Sequence, residues 1–262
     1  MVGLMSSAQS VRFDRAAGYY DRTRSLAAPT MQRIIPVLRA QLDRYQPCLE
    51  IGVGTGRIAL PLHEERVAMV GLDLSAPMLT ELVAKARGAP FPLMVADASR
   101  LPLADQSVGA ALVVHVLHLI PDWQRVVDEL IRVVRSGGRI VVDMGGFAEG
   151  PWQEVTSCFA EHAGLDVRGP GAREPEAVDT VMRARGASVR VLDAVTETRS
   201  SSFNKGIKLF EDGLLSFTWS ASPEVRAAAA AATRGWARAK FGDLDATFDY
   251  ELQIVYRVYD LP

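Results

Sequence analysis

A glycine-rich turn directly after a short apolar strand constrains this chain more than any other feature. Residues 49–57 read LEIGVGTGR, which places glycines at positions 52, 54 and 56. Glycine lets a backbone approach a ligand closely, and the start of a following helix favours negative charge. The nicotinamide dinucleotide fingerprint G-x-G-x-x-G would need glycine at position 57, where Arg57 stands. The turn therefore predicts a ligand site that departs from the dinucleotide pattern.

The first half of the chain alternates strand-like and helix-like segments, which predicts a parallel sheet with crossover helices. Ser75 is the predicted N-cap of a helix that stops near Gly88. Strands are predicted at residues 47–51, 67–72, 91–95, 108–114, 139–144, 188–198 and 248–261. Beyond residue 146 helices are predicted at residues 152–163, 174–185, 203–219 and 223–241.

Two aspartates close predicted strands near the glycine turn. Asp73 ends the second strand and could accept hydrogen bonds from two ribose hydroxyls, as in dinucleotide folds; alternatively it only ends the strand. Asp97 ends the third strand and could accept from an adenine amine while the amide of Ala98 serves a ring nitrogen. Its alternative role is to cap a turn at Ser99. Met78, on the helix after Asp73, could cover the adenine face.

In this order the elements resemble the class I S-adenosylmethionine-dependent methyltransferases over residues 13–146. Within that class, the resemblance is to the group that includes quinone-biosynthesis C-methyltransferases and bacterial small-molecule methyltransferases. Residues 13–21, FDRAAGYYD, are similar to the F-D-x-x-A-x-x-Y-D motif of that group. Residues 101–108 resemble its L-P-F-x-D-x-S-F-D segment, although Gly109 replaces the usual aspartate.

The resemblance implies an α/β fold of the Rossmann-like kind, with a seven-stranded, mostly parallel sheet and an antiparallel C-terminal strand. The sequence adds an unusual feature, a helical insert between the last two strands. The resemblance also implies S-adenosylmethionine as cofactor and S-adenosylhomocysteine as product. The predicted domains are a helical cap at 1–40, a cofactor-binding domain at 41–199 and 246–262, and a lid at 200–245. The predicted cofactor-binding residues are Tyr20, Glu50, Gly52, Gly54, Gly56, Asp73, Leu74, Met78, Asp97, Ala98 and His115.

Two histidines follow the fourth predicted strand, where the transferable methyl group is expected. His115 and His118 are candidate general bases for a hydroxyl or amine acceptor, because imidazole titrates near neutrality. Alternatively, His115 contacts the methionine end of the cofactor and His118 is a packing residue. No Asn/Asp-Pro-Pro-Tyr sequence follows this strand, which argues against a DNA adenine-type methyltransferase.

Charge and residue composition limit the binding partners and the location that the sequence predicts for this protein. The formal net charge is −2, from 29 basic and 31 acidic residues, and no basic block is present, so a nucleic-acid partner is not expected. Cys48 and Cys158 are isolated, and the four histidines lack ligand spacing, so no metal site is expected. The N-terminal residues do not resemble a signal peptide, and no apolar run is long enough to span a bilayer. These features predict a cytoplasmic protein.

Three classes of function remain open. The leading class is a methyltransferase that acts on oxygen, nitrogen or carbon of a small metabolite. The second is an RNA or protein methyltransferase, which the balanced charge disfavours. The third is a protein that binds the cofactor without transferring its methyl group. The connection at residues 200–245 is longer than a turn needs, which predicts a lid over the acceptor, with a homodimer surface as the alternative.

Overall fold

The computed structural model describes residues 10–145 and 150–262. Residues 1–9 hold most of the stretch interpreted as lacking a signal peptide and the start of the predicted cap, and they lie outside the described residues.

The chain divides into two compact units. The first, here called the sheet unit, comprises Met1–Gly145, Pro170–Asp193 and Val255–Pro262. The second, here called the aromatic unit, comprises Gly146–Gly169 and Ala194–Ile254. These boundaries do not coincide with the predicted domains, because the aromatic unit takes in an additional stretch before residue 170.

In the described part of the chain, nine strands form two sheets. In chain order they are β1 (Cys48–Ile51), β2 (Met69–Asp73), β3 (Leu93–Val95), β4 (Val108–Val114), β5 (Val134–Asp143), β6 (Ser188–Val191), β7 (Val195–Ser201), β8 (Phe248–Ile254) and β9 (Arg257–Asp260). The larger sheet has the order β3-β2-β1-β4-β5-β9-β6 and belongs to the sheet unit, and β7 and β8 pair with each other. Strands β1 to β5 pair in parallel, whereas β9 is antiparallel to β5 and to β6. The predicted seven-stranded sheet with an antiparallel C-terminal strand is confirmed.

The α-helices are α1 (Tyr20–Arg24), α2 (Ala28–Leu42), α3 (Ala59–Glu64), α4 (Ala76–Ala86), α5 (Trp123–Val133), α6 (Pro151–Ala163), α7 (Pro175–Ala184), α8 (Phe203–Glu211) and α9 (Pro223–Phe241). Ser75 caps α4 as predicted, with its hydroxyl accepting from the backbone N–H of Met78.

The larger sheet is buried because helices cover its apolar strands. Every residue of β4 is buried, as expected for the interior of a parallel sheet. Gly109 lies where a Cβ atom would come within 2.3 Å of the carbonyl oxygen of Tyr45. The chain thus needs glycine at the position where the resembled motif has aspartate. Helix α5 turns one apolar face to this core, through Val126, Val127, Leu130 and Val133.

Both long predicted strands are broken in the structure. The predicted strand at 188–198 consists of β6 and β7, and that at 248–261 consists of β8 and β9, so each prediction joined strands of two different sheets. Apolar alternation continues across the second break, and at the first break apolar residues lie on both sides of Asp193, so the sequence pattern reveals neither break. Tyr256 lies at the second break, is 2% exposed, and accepts the backbone N–H of Leu192 at its carbonyl.

The predicted insert between the last two strands is therefore more than helical, since it carries the β7–β8 hairpin as well as α8 and α9. The helix predicted at 203–219 ends at Glu211. Gly213 then adopts a positive φ of 70°, which terminates the helix, and a short 3-10 turn follows at Ser216–Thr218.

Aromatic side chains form the core of the aromatic unit. The ring of Trp152 lies 5.5 Å from those of Phe203 and Phe248 and 5.8 Å from that of Tyr250. A Cβ atom at Gly206 would lie 2.1 Å from the Trp152 ring, so only glycine permits this packing. Edge-to-face and offset aromatic contacts of this kind stabilise a core beyond the area they bury.

Candidate active site

A cleft opens at the carboxyl ends of β1, β2, β3 and β4 within the sheet unit, where ligands bind in parallel α/β folds. It holds about 690 Å³ of empty space, including space open to solvent, within the size range of small-molecule sites. Of the predicted cofactor-binding residues, all but Glu50 and Gly56 line it. The lining residues are Ser10, Val11, Arg12, Phe13, Tyr20, Gly52, Gly54, Leu72, Asp73, Leu74, Met78, Ala96, Asp97, Ala98, Val114, His115, Val116, Leu119 and Ile120.

The glycine turn between β1 and α3 provides the floor of the cleft. Gly52, Gly54 and Gly56 have φ values of 64°, 55° and 79°, a region that other residues adopt only with strain. A Cβ atom at Gly52 would lie 2.4 Å from Cγ2 of Val116. Side chains are therefore excluded from the turn by both conformation and space, which leaves its backbone open to a ligand.

Glu50, on β1 just before the turn, is 3% exposed. Its Oε2 atom is buried and has no hydrogen-bond partner among the described residues. Burial raises the pKa of Glu50 to about 8, against the opposing effect of the Arg57 charge. A buried acceptor without a partner at this position suits a cationic or hydrogen-bond-donating ligand group.

Asp73, at the end of β2, links the glycine turn to the start of α4. Its Oδ2 accepts from the backbone N–H of Gly54 and its Oδ1 from that of Ser75, both at 2.8 Å. Burial raises the pKa of Asp73, although these backbone hydrogen bonds oppose the rise. Each carboxylate oxygen keeps a further lone pair for a ligand hydroxyl. The predicted ribose contact thus has its acceptor in the cleft and stays a prediction.

Asp97 caps the turn after β3, the alternative role considered above. Its Oδ1 accepts from both the backbone N–H and the hydroxyl of Ser99, each at 2.8 Å. Asp97 is exposed and Ala98 is buried, and both line the cleft. Met78 is 2% exposed, and its Cε lies 3.2 Å from where a Cβ of Gly54 would stand. The adenine contacts of these residues stay predictions.

The N-terminal motif is fastened to the glycine turn. Asp21 accepts from the hydroxyl of Thr55 at 2.7 Å and pairs with Lys85 of α4 at 2.8 Å. Arg57 donates to the carbonyl of Arg24 at 2.8 Å. These contacts place the preceding Tyr20 in the cleft wall, where the family resemblance put it.

His115 is held at the end of β4 by the end of β5. Its backbone adopts a φ of 58°, unusual for a residue with a side chain, and its N–H donates to the carbonyl of Asp143 at 2.8 Å. Its Nε2 lies 3.2 Å from Oδ2 of Asp143. Burial would raise the pKa of Asp143, but the hydrogen bond and charge of His115 outweigh it and leave the pKa lowered.

His118 lies in the same segment but does not line the cleft. Its Nδ1 is buried without a hydrogen-bond partner among the described residues. Burial, helped by His115 and Arg24, lowers the pKa of His118 to about 4. The ring is therefore neutral near pH 7, and its placement favours the packing alternative over a direct base role, which stays untested.

Two groups of lining residues were not identified from the sequence. One is the segment of residues 10–12, which crosses to the other side of the cleft, where Val11 donates to the carbonyl of Leu119 at 3.1 Å and Arg12 to that of Leu74 at 3.2 Å. The other is the apolar wall of Val114, Val116, Leu119 and Ile120. The continuation of the apolar run beyond β4 is the signal that could have indicated this wall.

Several large aromatic residues of the chain pack in the aromatic unit. Trp152, Phe210 and Phe217 belong to the core of the aromatic unit, and the ring of Phe217 lies 5.3 Å from that of Phe210. The indole N–H of Trp219 donates to the carbonyl of Gly213 at 2.9 Å. The aromatic residues Phe13 and Tyr20 line the cleft.

The residues at the turn fit S-adenosylmethionine. Glu50 offers a buried oxygen without a partner among the described residues, which suits an amino-acid ammonium. The glycine turn presents its backbone to the cleft at Gly52 and Gly54, and a Cβ atom at Gly52 would collide with Val116. Asp73 places a second carboxylate at the end of the neighbouring strand β2, where it accepts from the backbone N–H of Gly54 at 2.8 Å. Glu50 suits the ammonium group of such a cofactor, the glycine turn suits the linker, and Asp73 suits the ribose.

Comparison with known proteins supports the same class. The model of the family described as "Methyltransferase domain" matches residues 49–142. Phosphatidylethanolamine N-methyltransferase from Cereibacter sphaeroides is 35% identical over 118 residues, which are 43% of this chain and 57% of that protein. A demethylmenaquinone methyltransferase from Beutenbergia cavernae is 32% identical over 152 residues, 56% of this chain and 61% of that protein. The chain thus spans less than two thirds of these relatives.

A solved structure agrees on the fold. The YcgJ protein from Bacillus subtilis superposes with a TM-score of 0.61 at 15% sequence identity, covering 90% of this chain and 100% of that one. At this identity the likeness concerns the fold alone. Over about half of its length the chain is thus similar to methyltransferases, among them the quinone-biosynthesis group predicted from the sequence, and its fold agrees with the predicted class I S-adenosylmethionine-dependent methyltransferases.

Proposed function

We propose that this protein transfers a methyl group from S-adenosylmethionine to a small-molecule acceptor. The observation that carries the proposal is the convergence, in one cleft, of the glycine turn, Asp73 and Asp97 on one side and His115 on the other. Bound there, S-adenosylmethionine supplies a methyl group activated by a sulfonium. Glu50 and Asp73 would hold its polar groups, and the apolar wall of the cleft would exclude water from the reaction.

A small acceptor is favoured over a macromolecule. The charge of the chain is nearly balanced, with a formal net value of −2, whereas binding to nucleic acid calls for a basic surface. The two relatives are named for different acceptors, phosphatidylethanolamine and demethylmenaquinone. The proposal for this chain therefore rests on the chemistry of its own cleft.

The remaining expectations stay predictions. None of the described helices combines the length and apolar character needed to cross a membrane. A cytoplasmic location, a homodimer and a lid role for residues 200–245 are part of the proposal. The lid is tested by changing Phe217 and Trp219 to alanine, which should raise the KM for the acceptor and leave cofactor affinity unchanged. Loss of a dimer by sedimentation, with activity retained, would contradict it.

Calorimetry with S-adenosylmethionine tests the cofactor assignment. Asp73→Ala is expected to weaken binding by on the order of 1–3 kcal/mol, because ribose hydroxyls would lose their acceptor. Asp105→Ala is the matched control, since the side chain of Asp105 is 75% exposed and pairs with Arg132 instead. Transfer itself is read as a mass gain when labelled cofactor is incubated with a metabolite extract. Unchanged binding of S-adenosylmethionine to Asp73→Ala would contradict the cofactor assignment. NADH should bind tightly neither to the parent protein nor to the Asp73→Ala variant.

A further inference from the structure

The strongest unassigned feature of the cleft is the arrangement around the His115 ring. Asp143, at the end of β5, is 4% exposed and contacts His115 twice, through its backbone carbonyl and through Oδ2. Its second oxygen, Oδ1, accepts from the backbone N–H of Gly145 at 2.7 Å. Both carboxylate oxygens of Asp143 thus have a partner, and the carboxylate contacts the His115 ring from a defined side.

Gly145 completes the support from another side. It adopts a φ of 75°, and a Cβ atom there would lie 3.1 Å from Cδ2 and Nε2 of the His115 ring. The backbone of Gly145 therefore packs close to the ring edge that points at Asp143. His115 itself has a left-handed backbone conformation, with a φ of 58°, which a residue with a side chain keeps only where its surroundings determine it.

The 3.2 Å contact between Nε2 of His115 and Oδ2 of Asp143 determines which ring nitrogen is free. An ionised carboxylate can only accept, so the hydrogen between the two groups belongs to Nε2 of His115. A neutral imidazole protonated at Nε2 has its lone pair at Nδ1. Within residues 10–145 and 150–262, no hydrogen bond engages Nδ1, and the ring lines the cleft. The free nitrogen is the one able to accept a proton.

We propose that Asp143 and Gly145 are positioning residues that hold His115 in the Nε2–H tautomer, so that Nδ1 takes the proton of a hydroxyl or amine acceptor. This inference rests on the proposed function. As the acceptor heteroatom forms its bond to the methyl carbon, the sulfonium sulfur keeps the electron pair of the broken bond. The acceptor proton passes to Nδ1 and is later released to water. The substrate class is therefore a protic acceptor rather than one already ionised in solution.

Other charged groups surround the pair and bear on its titration. Arg57 and Tyr256 interact with Asp143, and His118 interacts with both His115 and Asp143. The pKa of His118 is lowered to about 4, so this neighbour carries no charge near neutral pH. Asp143 is thus the negative group beside the ring that receives the acceptor proton during transfer.

The tautomer is measured directly in the free protein and with S-adenosylhomocysteine as the probe. Long-range proton–nitrogen spectra of protein labelled at its histidine rings distinguish the two tautomers, and His115→Gln identifies the resonances. We expect an Nε2–H ring with a bare Nδ1 in the parent. In Asp143→Asn the amide group can donate to Nε2, so the ring should switch to Nδ1–H. An Nδ1–H ring in the parent, or no switch in the variant, would overturn the proposal.

Turnover supplies the second readout, with phenol and 4-nitrophenol as acceptor probes. Asp143→Asn should lower turnover of phenol roughly 100-fold, the usual size of a general-base effect, with cofactor affinity unchanged. 4-Nitrophenol is largely ionised at mildly alkaline pH, so its turnover should fall much less in the same variant. Equal losses for both acceptors would contradict a proton-transfer role.

Asp179→Asn is the matched control, because Asp179 is 5% exposed but bonds to Tyr259 instead. Gly145→Ala, which leaves Asp143 in place and crowds the ring, covers the case in which Asp143→Asn does not fold. It should disturb the His115 resonances and lower phenol turnover. Failure to bind S-adenosylhomocysteine by calorimetry would count against the proposed function, whereas the tautomer of the free protein tests the positioning role separately.

Discussion

Two buried glutamates, one in each unit, have opposite surroundings. Glu50 of the sheet unit is 3% exposed and leaves Oε2 without a partner among the described residues. Glu197 of the aromatic unit is 6% exposed and accepts from Nε of Arg199 at 2.5 Å. A buried carboxyl oxygen without a partner costs stability, whereas pairing offsets part of the cost of burying a charge. At these two positions the sheet unit therefore carries an uncompensated cost beside the glycine turn, and the aromatic unit a compensated one.

The largest effect is expected from Glu50→Gln. The pKa of Glu50 is raised from 4.5 to about 8, so between these pH values the folded protein keeps a proton that the unfolded chain has lost. The free energy of unfolding therefore falls as pH rises through this window. Glutamine removes the ionisation, and the variant should be more stable than the parent at pH 8 by on the order of 4 kcal/mol.

Urea unfolding without cofactor, repeated across this pH window, measures the effect. The same variant should bind S-adenosylmethionine less tightly by calorimetry, since the cofactor ammonium loses a negative partner. Identical pH dependence in parent and variant would mean that Glu50 finds a partner in solution, and the contrast between the units would then disappear.

A smaller effect with the opposite pH direction is expected from His118→Gln. The pKa of His118 is lowered from 6.5 to about 4, so below about pH 6.5 the unfolded chain binds a proton that the folded protein does not. Its contribution to stability is present above pH 6.5 and is lost as pH falls towards 4. The variant should lose less stability than the parent between about pH 7 and pH 5, by on the order of 1–2 kcal/mol.

The exposed His162 provides the control, as His162→Gln should follow the parent at every pH. Thermal unfolding at matched ionic strength is sufficient for this measurement. A His118→Gln curve that coincides with the parent at pH 5 would show that the buried ring is not an acid-sensitive element.

The smallest effect is expected from Glu197→Gln and has the opposite sign to that of Glu50→Gln. Removing the carboxylate weakens the bond to Arg199, whose side chain is 28% exposed and can be partly rehydrated. The loss should be about 1 kcal/mol at pH 8, without a change in cofactor affinity. Glu251→Gln, at an exposed position of the same hairpin, controls for the loss of charge. If Glu197→Gln stabilises the protein, the aromatic unit also carries an unfavourable buried charge.

The sequence predicted the part of the fold in which local signals and tertiary structure agree. The glycine turn, the cap at Ser75 and the parallel strands are local patterns, and the structure confirms them. The breaks near residues 193 and 255 were missed because alternation marks which face is buried and not which sheet a strand joins. Sheet membership depends on partners distant in the chain.

The candidate site divides in the same way. The residues around the glycine turn were found because their spacing belongs to one loop and the strands beside it. Asp143 was missed because it ends an apolar strand, and nothing local indicates that it meets His115 from 28 positions earlier. Its partner Gly145 likewise has a role only once the histidine ring is placed. Which strand ends meet depends on the order of strands in the sheet. That order could be inferred from the sequence only through its resemblance to a known family.

The interior position of β9 in the larger sheet has a consequence for how the chain is made. Strand β9 lies between β5 and β6 although it is last in chain order, and residues 194–254 must leave the ribosome before it. During synthesis the edge of β5 is therefore open while the whole aromatic unit emerges. An unpaired apolar strand edge of this kind invites association with other chains. The nascent protein should depend on chaperones until β9 has emerged, and variants that slow folding should aggregate before they lose stability.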